Sequence, residues 1–189
     1  MNVKKIIIVE ILLILLFSSF SVDMVSSQSH ERINLTNGRT LYVGGNGPNN
    51  YTKIQDAIND AFPGDTIFVY DDSSPYYENI VINKSIALIG ENRETTIIET
   101  DKFPTIWVES EEVIISNFFI SNLKASAVYV DTWSENTTIS NNIIFVEDSS
   151  HPAVCLLSNH NLVFNNSLIN GGILGGSYPN LVFNLTLPF

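Results

Sequence analysis

Four side chains at matched spacing are the ones in this 189-residue chain best placed to do chemistry. Trp107 and Tyr129 lie 22 residues apart, and so do Glu109 and Asp131. Aromatic rings stacked in a column offer a sugar ring an apolar platform with polar edges; aromatics that stabilise the sheet from outside beneath a covering loop are the other reading. Two carboxylates stacked one above the other repel unless a cation or water separates them. With Glu111 and Glu112 beside them, they form an oxygen-rich set that suits calcium; a solvated acidic turn is the other reading of the same residues. No other cofactor is expected. His151 and His160 are nine residues apart, with the only cysteine, Cys155, between them. Coordination needs several converging ligands, and a lone Cys in a strand serves as a small packing residue.

Equal spacing of this kind has to come from a repeating scaffold, and the sequence carries one. Segments 112–120, 137–145 and 161–169 share a pattern: a short apolar run, a polar pair ending in Asn, and a second apolar run. Asn117 to Asn142 is 25 residues and Asn142 to Asn166 is 24, with a fainter copy at 181–187. Fixed periods in the twenties mark solenoids, whose units bury their apolar faces only against their neighbours. The runs are short and β-branched or aromatic, with no helical pattern between them, which favours a parallel β-helix. A sharp bend between strands needs a residue in the left-handed region, where Asn is best tolerated after Gly. Asn117, Asn142 and Asn166 are therefore expected to stack about 4.8 Å apart as a hydrogen-bonded ladder.

Alternation along 105–109, 127–131 and 153–157 turns Ile106, Val108, Val128, Val130, Val154 and Leu156 inward. Trp107, Tyr129 and Cys155 then form one outward column. At the other end, Thr52 and Gln55 read as a capping box opening a helix over about 52–61. Ile54, Ala57, Ile58 and Ala61 share its apolar face, and Pro63-Gly64 stops it. Such a helix would cover the interior that a solenoid's first coil leaves open.

Tyr51-Thr52-Lys53-Ile54-Gln55-Asp56-Ala57-Ile58, Pro63-Gly64-Asp65-Thr66-Ile67, Tyr77-Glu78-Asn79-Ile80-Val81-Ile82 and Ser85-Ile86-Ala87-Leu88-Ile89-Gly90 together resemble the opening of pectin-lyase-like proteins. Within that family the chain is most similar to the NosD-type group of carbohydrate-binding and sugar-hydrolase surface proteins, over about residues 40–187. The resemblance implies an all-β, right-handed parallel β-helix of about five or six coils with an N-terminal capping helix. It implies little about activity, because the same opening precedes lyases, esterases, hydrolases and proteins with no known activity.

Enzymes of the family act on the outer face of the first sheet. Lyase chemistry there needs an Arg or Lys base beside calcium-held carboxylates, yet no Arg follows Arg93. The esterase arrangement needs two Asp and an Arg, and Asp131 stands alone on its strand. Hydrolase motifs built on Asn-Thr-Asp, paired Asp and Gly-His-Gly are missing. The expectation is a non-catalytic structural or glycan-binding protein, with a polysaccharide-active enzyme or a truncated remnant of one as the alternative.

Residues 1–27 read as a secretory signal, with Lys4 and Lys5 before the apolar stretch Ile6 to Phe17. Glu10 within that stretch keeps an N-terminal anchor as the alternative. Residues 28–39 form a polar leader and 40–189 one domain. Sequons at Asn34, Asn50, Asn83, Asn136, Asn165 and Asn184 fit a secreted or cell-surface chain. The formal charge of −11, with no basic stripe, argues against nucleic acid as a partner. No intrachain disulfide can form. The apolar residues of 171–189 lack a polar cap, so self-association through that end, or a shortened relative, is expected.

Overall fold

The computed structural model describes residues 38–175 and 179–186. The expected signal peptide (1–27), most of the leader and the Asn34 sequon lie outside the described residues. The described chain opens with β1 (Thr40–Val43), α1 (Ile54–Asp60) and β2 (Thr66–Val69). Next come β3 (Ile80–Ile82), β4 (Ala87–Gly90) and β5 (Ile97–Thr100). Three strands then recur in each turn: β6 (Ile106–Val108), β7 (Ile114–Ser116) and β8 (Phe119–Asn122), then β9 (Val128–Val130), β10 (Thr138–Ser140) and β11 (Ile143–Val146). The last are β12 (Val154–Leu156), β13 (Leu162–Phe164), β14 (Ser167–Ile169), β15 (Ile173–Gly175) and β16 (Leu181–Phe183).

Every strand pair is parallel, and the strands sort into three sheets. Sheet A has seven strands (β1, β2, β4, β7, β10, β13, β16), sheet B four (β5, β8, β11, β14) and sheet C five (β3, β6, β9, β12, β15). Each turn of the chain visits the sheets in a fixed order, giving a right-handed β-helix of about five turns with one helix among the described residues. The period read from the sequence is the register itself: Ile115, Ile139 and Val163 are Cα partners in sheet A.

The interior is a set of stacked aliphatic columns. Ile67, Leu88, Ile115, Ile139 and Val163 line it from sheet A, and Ile98, Ile120, Ile144 and Leu168 from sheet B. The six inward residues expected of sheet C are all fully buried. Each such side chain contributes about 1.5–3 kcal/mol by leaving water, so a three-residue strand with one or two inward positions suffices once neighbours lie above and below.

The bend from sheet A to sheet B corrects the expected ladder. Two columns of residues stand there, one position apart. The outer one is left-handed: Asn117 (φ 64°), Asn141 (φ 61°), Asn165 (φ 57°) and Asn184 (φ 52°). Asn141 Nδ2 donates to Asn117 Oδ1 at 3.3 Å. The inner one is buried: Asn166 Oδ1 accepts the Asn142 N–H at 2.9 Å, and Asn142 Oδ1 accepts the Phe118 N–H at 3.0 Å. Asn142 and Asn166 form a ladder as expected, but Asn117 belongs to the neighbouring column, because the apolar Phe118 fills the inner position of its coil. Side-chain amides also join turns at the sheet C to sheet A corner, where buried Asn161 Oδ1 accepts the Thr137 N–H at 2.9 Å and half-buried Asn180 Oδ1 accepts the Asn161 N–H at 2.9 Å.

Helix α1 lies against β1, β2 and β3 with Ile54, Ala57 and Ile58 fully buried. It is shorter than expected, and the capping box is not what starts it. The N-cap is Lys53, which makes no side-chain cap bond. Instead Glu78, from the coil beneath, accepts the Ile54 and Gln55 N–H groups at 2.9 and 3.0 Å. Gln55 is thereby free for another task. Its amide accepts the Val81 N–H at 2.8 Å and donates to the Val81 carbonyl at 3.2 Å, on the side of β3 where no strand pairs among the described residues. Lys84 Nζ donates to the carbonyls of Ile58, Asn59 and Ala61 at the other helix end.

Candidate functional site

The outer face of sheet C carries the column expected from the sequence. Val81, Trp107, Tyr129, Cys155 and Leu174 are successive Cα partners from β3 to β15. Trp107 and Tyr129 are half-buried and meet edge to face, with ring centroids 6.0 Å apart and planes at 85°. Phe103, which sequence reasoning missed, packs edge-on against Tyr129 at 5.2 Å and is 50% exposed. It sits just before Pro104 on the loop that enters β6, outside any strand pattern, so alternation could not have found it.

Three rings therefore make one cluster, with Phe103 as its open surface. The Trp107 indole N–H is enclosed and has no acceptor among the described residues. Burial pushes the Tyr129 phenol above its ordinary pKa, helped by the neighbouring Cys155 and Asp131. Cys155 shares the column but is covered rather than presented, and burial raises its thiol. An uncharged, covered thiol is a poor nucleophile and a poor metal ligand.

Glu109 and Asp131 each follow the last residue of a paired strand, since Val108 and Val130 are Cα partners. They stand on adjacent coils, as expected. Asp131 Oδ1 accepts the Thr132 N–H at 2.7 Å, so part of its capacity holds its own turn. Glu112 turns the chain with a left-handed φ of 57°. Among the described residues no three His, Cys, Asp or Glu side chains converge on one point. Two carboxylates offer about four oxygens against the roughly six to eight that calcium takes.

The histidines are engaged separately. His151 Nδ1 lies 3.2 Å from Asp148, and His160 Nδ1 lies 3.5 Å from Glu135. Arg39 and Arg93, the two described arginines, are held away from sheet C. Arg39 pairs with Asp65 at 2.8 Å, and Arg93 donates to Ser167 Oγ at 2.8 Å.

Of the described sequon residues, Asn83, Asn136, Asn165 and Asn184 are exposed, and Asn50 is half-buried with its Nδ2 donating to the Gly44 carbonyl at 2.6 Å. Two further aromatic features escaped sequence reasoning. Trp133 is 88% exposed on the turn leaving sheet C. Tyr42, Phe68 and Tyr70 cluster on the outer face of sheet A, with centroids 5.2–6.1 Å apart. Strand alternation would have found Tyr42 and Phe68, had sheet A been read for outward aromatics as sheet C was. Among the described residues, no helix is long and apolar enough to cross a membrane. No family profile, curated protein or solved structure matches this chain.

Proposed function

We propose that this is a secreted or cell-surface β-helix of the pectin-lyase-like, NosD-type kind that binds glycans without cleaving them. The observation that carries the reading is the Phe103–Tyr129–Trp107 cluster on sheet C, an apolar surface presented through the half-exposed Phe103 ring. Aromatic faces hold the C–H side of a sugar ring, and polar groups at the rim meet its hydroxyls. The engagement of Arg39 and Arg93 elsewhere leaves no described arginine free to serve as the base in the charge-assisted proton abstraction of polyuronate lyases. Secretion rests on the N-terminal apolar stretch and on the exposed sequons. Self-association through β16 belongs to the same proposal.

The test separates binding from turnover. Affinity electrophoresis in gels containing neutral and acidic polysaccharides reads binding, and release of reducing or unsaturated ends reads cleavage. Phe103→Ala should weaken retention by about three- to tenfold, the scale of one aromatic contact, with an unchanged melting profile. Retention unaffected by Phe103→Ala removes the cluster from the account. Product release that is lost in Asp131→Asn replaces binding with catalysis.

A further inference from the structure

A cleft of about 340 Å³ opens where the chain turns from sheet B to sheet C, and it draws on three successive coils. Tyr77 comes from the first, the run Glu99 to Lys102 from the second and Leu123 from the third. Their alignment follows from register, because Glu99 pairs with Ser121 and Thr100 with Asn122, while Tyr76 bridges Ile98 one coil down. The volume falls at the small end of ligand clefts, which run from about 300 to 1,000 Å³.

The lining has a definite chemistry. Tyr77 is 73% exposed, so an aromatic ring stands free at the mouth, and Leu123 adds apolar surface. Asp101 is neutralised by Lys124 at 2.7 Å. Glu99 and Lys102 enter no ion pair among the described residues, which leaves one free carboxylate and one free ammonium. Thr100 Oγ1 accepts the Lys102 N–H at 3.2 Å, and its own proton remains to donate. Two anions and two cations balance locally in a chain whose formal charge is −11. A hydroxyl both donates and accepts, so it can use the ammonium and the carboxylate together. A uronate would meet the free Glu99 carboxylate as a like charge and an amine polymer the free Lys102 ammonium, so a ligand of either sign gains no net attraction here.

We propose that this cleft is a subsite for a neutral hexose residue, with Tyr77 stacking on the ring and Glu99 and Lys102 holding its hydroxyls. The site adjoins the sheet C cluster, since Lys102 of the cleft directly precedes Phe103, and the inference rests on the glycan-binding reading while adding the class of sugar. It follows that the ligand of this protein is a neutral polysaccharide rather than a polyuronate.

Calorimetric titration of the mature protein with cellohexaose, mannohexaose, maltohexaose and hexagalacturonate tests it, alongside Tyr77→Ala, Glu99→Ala and Phe103→Ala. At least one neutral hexasaccharide should bind, with hexagalacturonate at least about tenfold weaker. Tyr77→Ala should weaken binding about fivefold, and Glu99→Ala should weaken it without changing the melting profile. Binding lost in Phe103→Ala but intact in both cleft variants overturns the subsite and leaves the glycan-binding reading standing. A preference for hexagalacturonate overturns the neutral-sugar assignment. No binding of any probe at millimolar concentration overturns both.

Discussion

The two ends of the solenoid solve the same problem to different degrees. One interior column of sheet A runs from Leu41 through Ile67, Leu88, Ile115, Ile139 and Val163 to Val182. Leu41, at the helix end, is 8% exposed; Val182, at the far end, is 42% exposed. The two residues have the same register role and similar chemistry. What differs is that α1 lies across the first coil, anchored by Glu78 at its start and Lys84 at its finish. Burial in a solenoid is therefore a property of neighbours, and a strand is only as stable as what lies on either side of it.

The largest expected effect comes from undoing the covered end. Ile58 is fully buried beneath the first coils, so Ile58→Ala should cost about 2–4 kcal/mol through lost transfer energy and the cavity left behind. Val182→Ala should cost less than about 1 kcal/mol, because the side chain is already in contact with solvent. Chemical denaturation of both variants measures the contrast. Equal losses would mean that the two ends are equally well covered in solution.

That asymmetry was only half readable beforehand. The period of 24–25 residues and the alternation in sheet C placed Trp107, Tyr129, Glu109 and Asp131 on neighbouring coils, because register and outward direction are both periodic. The helix face was readable for the same reason. Its cap was not, since the carboxylate that starts α1 belongs to Glu78, 24 residues on, and local spacing points to Thr52 instead. The Asn columns were blurred by their one-residue offset: Asn141-Asn142 and Asn165-Asn166 fill both columns, whereas Asn117-Phe118 fills only one. Phe103, Tyr77 and Leu123 lie on turns, where strand alternation does not apply, and only stacking brings Tyr77 and Leu123 beside Glu99 and Thr100 of β5.

A smaller effect should appear at acid pH near the covered end. Asp65 is almost completely buried and accepts from Arg39 through its backbone N–H (2.8 Å) and guanidinium (2.8 Å), and from the Phe62 N–H at 2.9 Å. Burial alone would raise its carboxyl, but the bonds from Arg39 and Phe62 outweigh it and hold the group below the ordinary carboxylate range. A depressed folded pKa contributes stability that is fully present above the unfolded value, about 3.9, and is lost as pH falls through the folded value. Denaturation midpoints should therefore fall as pH drops below about 4, more steeply in the parent than in Asp65→Asn. That variant should lose about 1–2 kcal/mol at neutral pH, the scale of charge-assisted bonds. Parallel acid profiles for the two proteins would show that Asp65 does not set this limb.

The smallest effect belongs to the less covered end and concerns association rather than folding. Leu181, Val182 and Phe183 of β16 are all exposed, and among the described residues no strand pairs with the outer edge of β16. An apolar strand edge with free backbone groups recruits another strand when one is available. Phe183 stacks on Phe164 at 5.4 Å, which ties β16 to the coil beneath it. The full chain should therefore show concentration-dependent self-association in sedimentation velocity. Leu181→Lys should suppress it while changing the unfolding free energy by less than about 0.5 kcal/mol, because Leu181 is 66% exposed and faces away from the interior column, so a charge there blocks pairing without disturbing buried residues. A monomer at the highest concentration tested would mean that the edge is covered in solution. Association that survives Leu181→Lys would move the contact to another surface, with the Tyr42–Phe68–Tyr70 face of sheet A the next to test.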